Sequence, residues 1–150
     1  MDKKDAKELL EFVADSIQVV KKRMKPIQSI DDLLDTEEGQ EKLDAILMRM
    51  QAIGEAIKNL DKRHADLLER HKDASYWSDV IKMREFISHH YINIDAEIIF
   101  NTIQDGELDE LEALVDQIIK QEFQQEKSLF DAVEEVNELR KKPPLEKPIK

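Results

Sequence analysis

Arg84, His89 and Tyr91 lie within eight positions of one another in the run MREFISHHYINID, residues 83–95, of a chain that holds only four histidines. A neutral imidazole with a pKa of about 6.5 exchanges a proton at physiological pH. A guanidinium holds a phosphate in a fixed fork and stabilises charge developing on it. Together the two groups suit metal-free cleavage of RNA, with the 2′-hydroxyl as nucleophile. Their spacing sets a condition. At about 100° per residue, Arg84 and Tyr91 share one helix face with Ser88 between them, whereas His89 lies about 140° around from Arg84. Arg84 and His89 meet only if the helix end unwinds or a second chain completes the site, and a two-fold axis would supply that chain. Glu85, Ser88 and His90 are auxiliary candidates. The same residues also fit a plainer role, because cations favour the negative C-terminal end of a helix and a tyrosine is at ease on its surface. A metal centre built from His64, His71, His89 and His90 matches no recognised ligand spacing, so no metal site is assigned. Nor is a cofactor expected, since no glycine-rich loop is present to cradle a nucleotide.

The elements that must position this stretch are helices. Only three glycines and four prolines accompany abundant Leu, Ile, Glu and Lys, a balance that favours helix and leaves few turns for a sheet. With 150 residues, 41% of them hydrophobic, one core and one domain are expected, as an antiparallel bundle of about five helices over residues 1–140. The absence of cysteine excludes disulfides, thiol nucleophiles and the common structural zinc sites, and fits a reducing, cytoplasmic setting. No apolar run is long enough to span a membrane, and MDKKDAKE lacks the apolar core of a signal peptide. The net charge of −11 repels nucleic acid at long range, so RNA binding would need a local basic patch. Lys58, Lys62, Arg63, Arg70, Lys72 and Lys82 are the candidates for it.

Leu9, Val13, Ile17, Val20 and Met24 form one apolar stripe from Lys3 to Met24, ended by Pro26. Ser29 and Asp32 resemble a capping box before a short turn. Thr36, followed by Glu37 and Glu38, opens a long second helix with a stripe from Leu43 to Leu60, extending toward Arg70. Gly54 within it costs about 1 kcal/mol relative to alanine. Either it marks a close helix crossing or it is a tolerated defect. HKDAS, residues 71–75, reads as a loop, with Ser78 and Asp79 capping a third helix that runs to about Tyr91. Asn93 or Asp95 caps a fourth, which Asp105 and Gly106 break. From Leu108 an apolar stripe persists to Leu139, as one long helix or as two with a kink between Gln121 and Lys127. KKPPLEKPIK reads as a disordered, basic and proline-rich tail, residues 141–150.

The run WSDVIKMREFISHHYINIDAEIIFNTI, residues 77–103, resembles the signature of the HepT-like toxins, a branch of the HEPN domains. Their arginine, four residues, histidine, one residue, tyrosine motif is matched by Arg84, His89 and Tyr91. LMRMQAIGEAIKNL, residues 47–60, is similar to the family's second helix with its IGEA element. The resemblance covers roughly residues 9–120. It implies a HEPN-like homodimer, a ribonuclease site at the dimer interface using Arg84 and His89, and a minimal nucleotidyltransferase antitoxin that attaches AMP to Tyr91. The sequence departs from the pattern at Glu85, where the family usually carries a small polar residue. A carboxylate there would compete with RNA for the arginine. The extension beyond about Gln121 also exceeds the usual family length. It could cover the bundle, enlarge the dimer interface or bind a partner. The competing functional reading is a non-catalytic HEPN-like helical module that binds another protein.

Overall fold

A computed structural model describes residues 3–89 and 95–141, apart from the side chains of residue 89 and of residues 124–131. Among the described residues the secondary structure is helical throughout, in the order α1 (Lys3–Met24), α2 (Asp31–Leu34), α3 (Glu37–Glu69), α4 (Ala74–His89), α5 (Ala96–Gln104), α6 (Glu107–Ile119), a π-helical turn (Lys120–Gln124) and α7 (Gln125–Lys141). The chain is an all-α HEPN-like bundle. Against the five helices expected, the short turn after Pro26 is itself a helix, and the last stripe divides in two at the π-turn. The basic tail from residue 142 onward lies outside the described residues.

Each start has a local cause. The Asp32 carboxylate accepts hydrogen bonds from the backbone N–H groups of Gln28 and Ser29 at 2.8 and 3.3 Å, which orders the turn before α2, but Ile30 rather than Ser29 is the N-cap and no side chain caps that helix. Thr36 caps α3 by accepting from Gly39 N, and Asp95 caps α5 by accepting from Glu97 N. Gly106 takes a left-handed φ of 83° between α5 and α6, a conformation that suits a residue without Cβ. A second start also differs from expectation. α4 begins at Ala74 because the Asp73 carboxylate, rather than Ser78 or Asp79, accepts the Tyr76 N–H at 3.1 Å. The earlier start places Trp77 inside the first turns, where it is fully buried. Its indole N–H reaches the carbonyls of Leu68 and Lys72 at 3.0 and 3.1 Å, which ties the end of α3 to the start of α4.

α1, α3 and α4 pack antiparallel. Arg63 reaches Asp5 while Arg49 donates to the buried Ser16, so residue numbers fall along α1 as they rise along α3. Glu55 faces Arg84 and Gln51 faces Ser88, the same reversed order between α3 and α4. α6 closes the other side of α1, where Lys21 bridges Asp109 and Glu112 at 2.6 and 3.0 Å and Gln18 also donates to Glu112. Leu10, Ile17, Ile46, Ile57, Leu60, Ile87, Ile99 and Ile118 fill the shared core. α3 is not straight. His64, at φ −138° and ψ 44°, breaks it without proline or glycine. None of the described helices is long and apolar enough to cross a membrane.

Candidate active site around Arg84

Arg84 sits at a close crossing of α4 and α3. A Cβ added to Gly54 would lie 2.2 Å from Arg84 Cβ and 3.2 Å from its Cα. The missing side chain is therefore what admits the arginine stem to the crossing. The guanidinium then meets a carboxylate from the same turn of α3, with Arg84 Nε 2.7 Å from Glu55 Oε2. Both atoms are buried, yet neither makes an aligned hydrogen bond. The contact is thus a close charge pair off the N–H axis, and it runs through Nε, leaving a fork with further donors. Only 26% of the Arg84 side chain is exposed against 46% for Glu55, so the carboxylate is the outer, more hydrated member. One turn further along both helices, Gln51 Nε2 donates to Ser88 Oγ at 2.8 Å. Gln51, Gly54 and Glu55 on α3 thus mate with Arg84 and Ser88 on α4, each set at three- and four-residue spacing.

An adjoining cavity of about 210 Å³ lies between α3, α4 and α6, lined among others by Met50, Gly54, Tyr76, Val80 and Leu108. Its rim carries Asp79, Glu107 and Glu110. Burial, then the fields of Glu110 and Glu107, pushes the Tyr76 hydroxyl up to about 12. That rim repels a phosphate. Among the described residues, no three His, Asp or Glu side chains gather as metal ligands. His71 instead lies 2.7 Å from Glu122, which Arg70 grips through two nitrogens at 2.8 and 3.2 Å. Hydrogen bonds from Arg70, and next from His71, hold the Glu122 carboxyl below its ordinary range.

A protein-family model described as Ribonuclease HepT-like matches residues 13–118, a span that holds the α3–α4 crossing and the whole motif. The chain belongs to the HepT-like ribonuclease family. A relative from Caldanaerobacter subterraneus subsp. tengcongensis, named "Putative RNase", is 35% identical over 78 residues, 52% of this chain and 65% of that protein. The chain therefore spans slightly less than two thirds of that relative's length. No solved structure matches.

Of the residues singled out in the sequence, the HepT-like fold brings Arg84 and Ser88 together on the α3-facing side of α4. Glu85 and His89 are placed about 100° and 140° around the same continuous helix from Arg84. His89 is the last residue of α4 and its side chain lies outside the described set, as do His90 and Tyr91 entirely. The carboxylate that meets Arg84 is Glu55, which the sequence analysis did not single out. Its signal was available in the IGEA element, where a glycine is followed at once by an acid on a long amphipathic helix. Gln51, one turn earlier, was missed for the same reason. Of the candidate basic residues, Lys72 lies over the Tyr76 ring at 5.4 Å and Lys82 pairs with Asp79 at 3.9 Å.

Proposed function

We propose that this protein is the toxin of a toxin–antitoxin pair, a metal-independent endoribonuclease. In this reading its site forms when two copies bring Arg84 of one and His89 of the other together. The observation that carries the reading is the family match over residues 13–118, within which Gly54 opens the seat for Arg84. The reaction is an internal transesterification. Neutral His89 takes the proton of the RNA 2′-hydroxyl, the 2′-oxygen bonds to phosphorus, and the bond from phosphorus to the 5′-oxygen breaks. The proton returns to the departing 5′-oxygen, leaving a 2′,3′-cyclic phosphate and a 5′-hydroxyl. Arg84 stabilises charge on the non-bridging oxygens, for which it must share its guanidinium between Glu55 and the phosphate. AMP attached to Tyr91 by a minimal nucleotidyltransferase would add an anion seven residues along the chain from Arg84 to compete for its charge, and so silence the site.

A second reading, a non-catalytic helical module, draws on the same contact: Glu55 already holds the guanidinium. Product analysis separates the two. The ribonuclease reading expects cyclic-phosphate ends, and expects Arg84→Ala and His89→Ala chains, each inactive, to regain activity when mixed. Failure of the mixture, with both variants folded and the wild type active, would refute the shared site. A wild type without activity would favour the module.

A further inference from the structure

We propose that a concavity at the far end of α3 is a second contact for the RNA backbone, taking phosphates a few nucleotides away from Arg84. The inference rests on the ribonuclease reading and names where its substrate is held. The concavity measures about 440 Å³, and Lys3, Lys62, Arg63, His64, Arg70 and Glu122 are among its lining residues.

Three structural features gather its charge. The first is the break at His64, which interrupts α3 between Arg63 and Arg70. Residues on both sides of the break, together with the π-turn residue Glu122, line the one hollow. The second is the start of α1, whose first described residues line the same hollow, so the positive end of a 22-residue helix adds to the field. The third is partial neutralisation. Arg63 shares Asp5 with His64, at 3.4 and 3.7 Å, and Arg70 is held by Glu122. His64 Nε2 is buried without a hydrogen-bond partner. Lys3, Lys62, Arg63 and Arg70 therefore face two lining carboxylates, Asp66 and Glu122, with Asp5 beside them. This is a local positive excess on a chain of net charge −11.

Its place along α3 fits a polynucleotide better than a lone anion. Lys58 and Lys62 follow Glu55 at three and seven positions, so all three share one face of α3. From Glu55 to Lys62 the helix rises about 10 Å. That is roughly three phosphates at the 3.4 Å rise of a stacked strand. A strand seated at Arg84 is thus led along Lys58 to the concavity, while the acidic cavity beside Gly54 turns it away.

The test uses full-length His89→Ala protein, so that binding is read without cleavage, and a fluorescent single-stranded RNA 20-mer. Anisotropy titrations at several salt concentrations compare this background with added Lys62→Gln and Arg63→Gln. Each phosphate contact on a single strand contributes a slope of about −0.7 to log K against log salt, so loss of two should flatten it by about 1.4. A loss of affinity of about tenfold or more at low salt should accompany it. Lys22→Gln with Lys25→Gln, exposed at the opposite end of α1, should change neither, and Lys62→Arg with Arg63→Lys should restore both. Circular dichroism melting checks that each variant is folded. Intact binding by the Lys62 and Arg63 variant would overturn this inference and leave the ribonuclease reading standing. Wild-type chain that neither binds nor cleaves RNA would overturn both. Inorganic phosphate or AMP bound as tightly as the 20-mer, and lost in the same variant, would replace the polynucleotide with a small anion.

Discussion

Replacing Gly54 with alanine should lower stability and activity together. In an isolated helix the change is favourable by about 1 kcal/mol. Here the new methyl would lie 2.2 Å from Arg84 Cβ, 3.1 Å from its Cγ and 3.2 Å from its Cα. Carbon atoms rest at about 3.5–4.0 Å, and neither a Cβ nor a Cα can rotate out of the way. α3 and α4 must therefore part by more than about 1 Å. Overpacking of this kind costs about 1–3 kcal/mol, which offsets or outweighs the propensity gain of about 1 kcal/mol and leaves a net loss of up to about 2 kcal/mol. For a chain of this size, the thermal midpoint should fall by up to about 8 °C. The site suffers more, because the parting moves the arginine itself, and a misplacement of about 1 Å can cost on the order of 100-fold in rate. Thermal melting by circular dichroism and RNA cleavage rates under saturating substrate measure the two effects. A Gly54→Ala chain that melts higher than wild type and cleaves as fast would refute the close crossing and the role given to it.

Glu55→Gln removes the negative charge that pairs with Arg84 while keeping the side chain's volume, so RNA affinity should rise several-fold at low salt. A fall in affinity would mean that Glu55 orients the guanidinium rather than competing for it. Glu122→Gln should destabilise the end of the bundle by about 1–2 kcal/mol at pH 7, through loss of the charge-assisted hydrogen bonds to Arg70 and His71. Because the folded state depresses this carboxyl, its stabilising effect is present above the ordinary value of 4.5 and is lost as pH falls through the lowered one. The difference between wild type and variant in urea melts should accordingly vanish in strong acid, and a difference that persists there would reject the linkage. Co-expression with the cognate nucleotidyltransferase should add adenylate mass to the wild-type chain and none to Tyr91→Phe, as read by intact mass spectrometry. Adenylate retained in the variant would move the modification elsewhere.

α1 was fully legible in the sequence because its stripe is regular and Pro26 stops it, and α3 because Thr36 and two glutamates mark its start. The start of α4 was misplaced for a definite reason. Ser78 and Asp79 look like a cap in one dimension, but Asp73 is the residue that caps, and burial of Trp77 rewards the longer helix. Gly54 left a close crossing and a tolerated defect equally open, and the structure shows the crossing. Its partner Arg84 is 30 positions away, and only the antiparallel pairing of α3 with α4 brings the two together. Glu55 was invisible as an arginine partner for the same reason, and attention fell on Glu85, which is adjacent in sequence but around the helix in space. The break at His64 carries no proline or glycine, so nothing local announced it. The apolar stripe from Leu108 to Leu139 left one helix or two open, and the π-turn at Lys120–Gln124 resolves it as two. α7 then leaves Val133, Val136 and Leu139 exposed.

The measurement that bears most directly on the account is the rate at which purified protein cleaves a single-stranded RNA in the presence of EDTA. Wild-type chain should cut it, and Arg84→Ala and His89→Ala, each folded by circular dichroism, should each fall by at least about 100-fold. Undiminished cleavage by either variant, or none by the wild type, would contradict the assignment of this site.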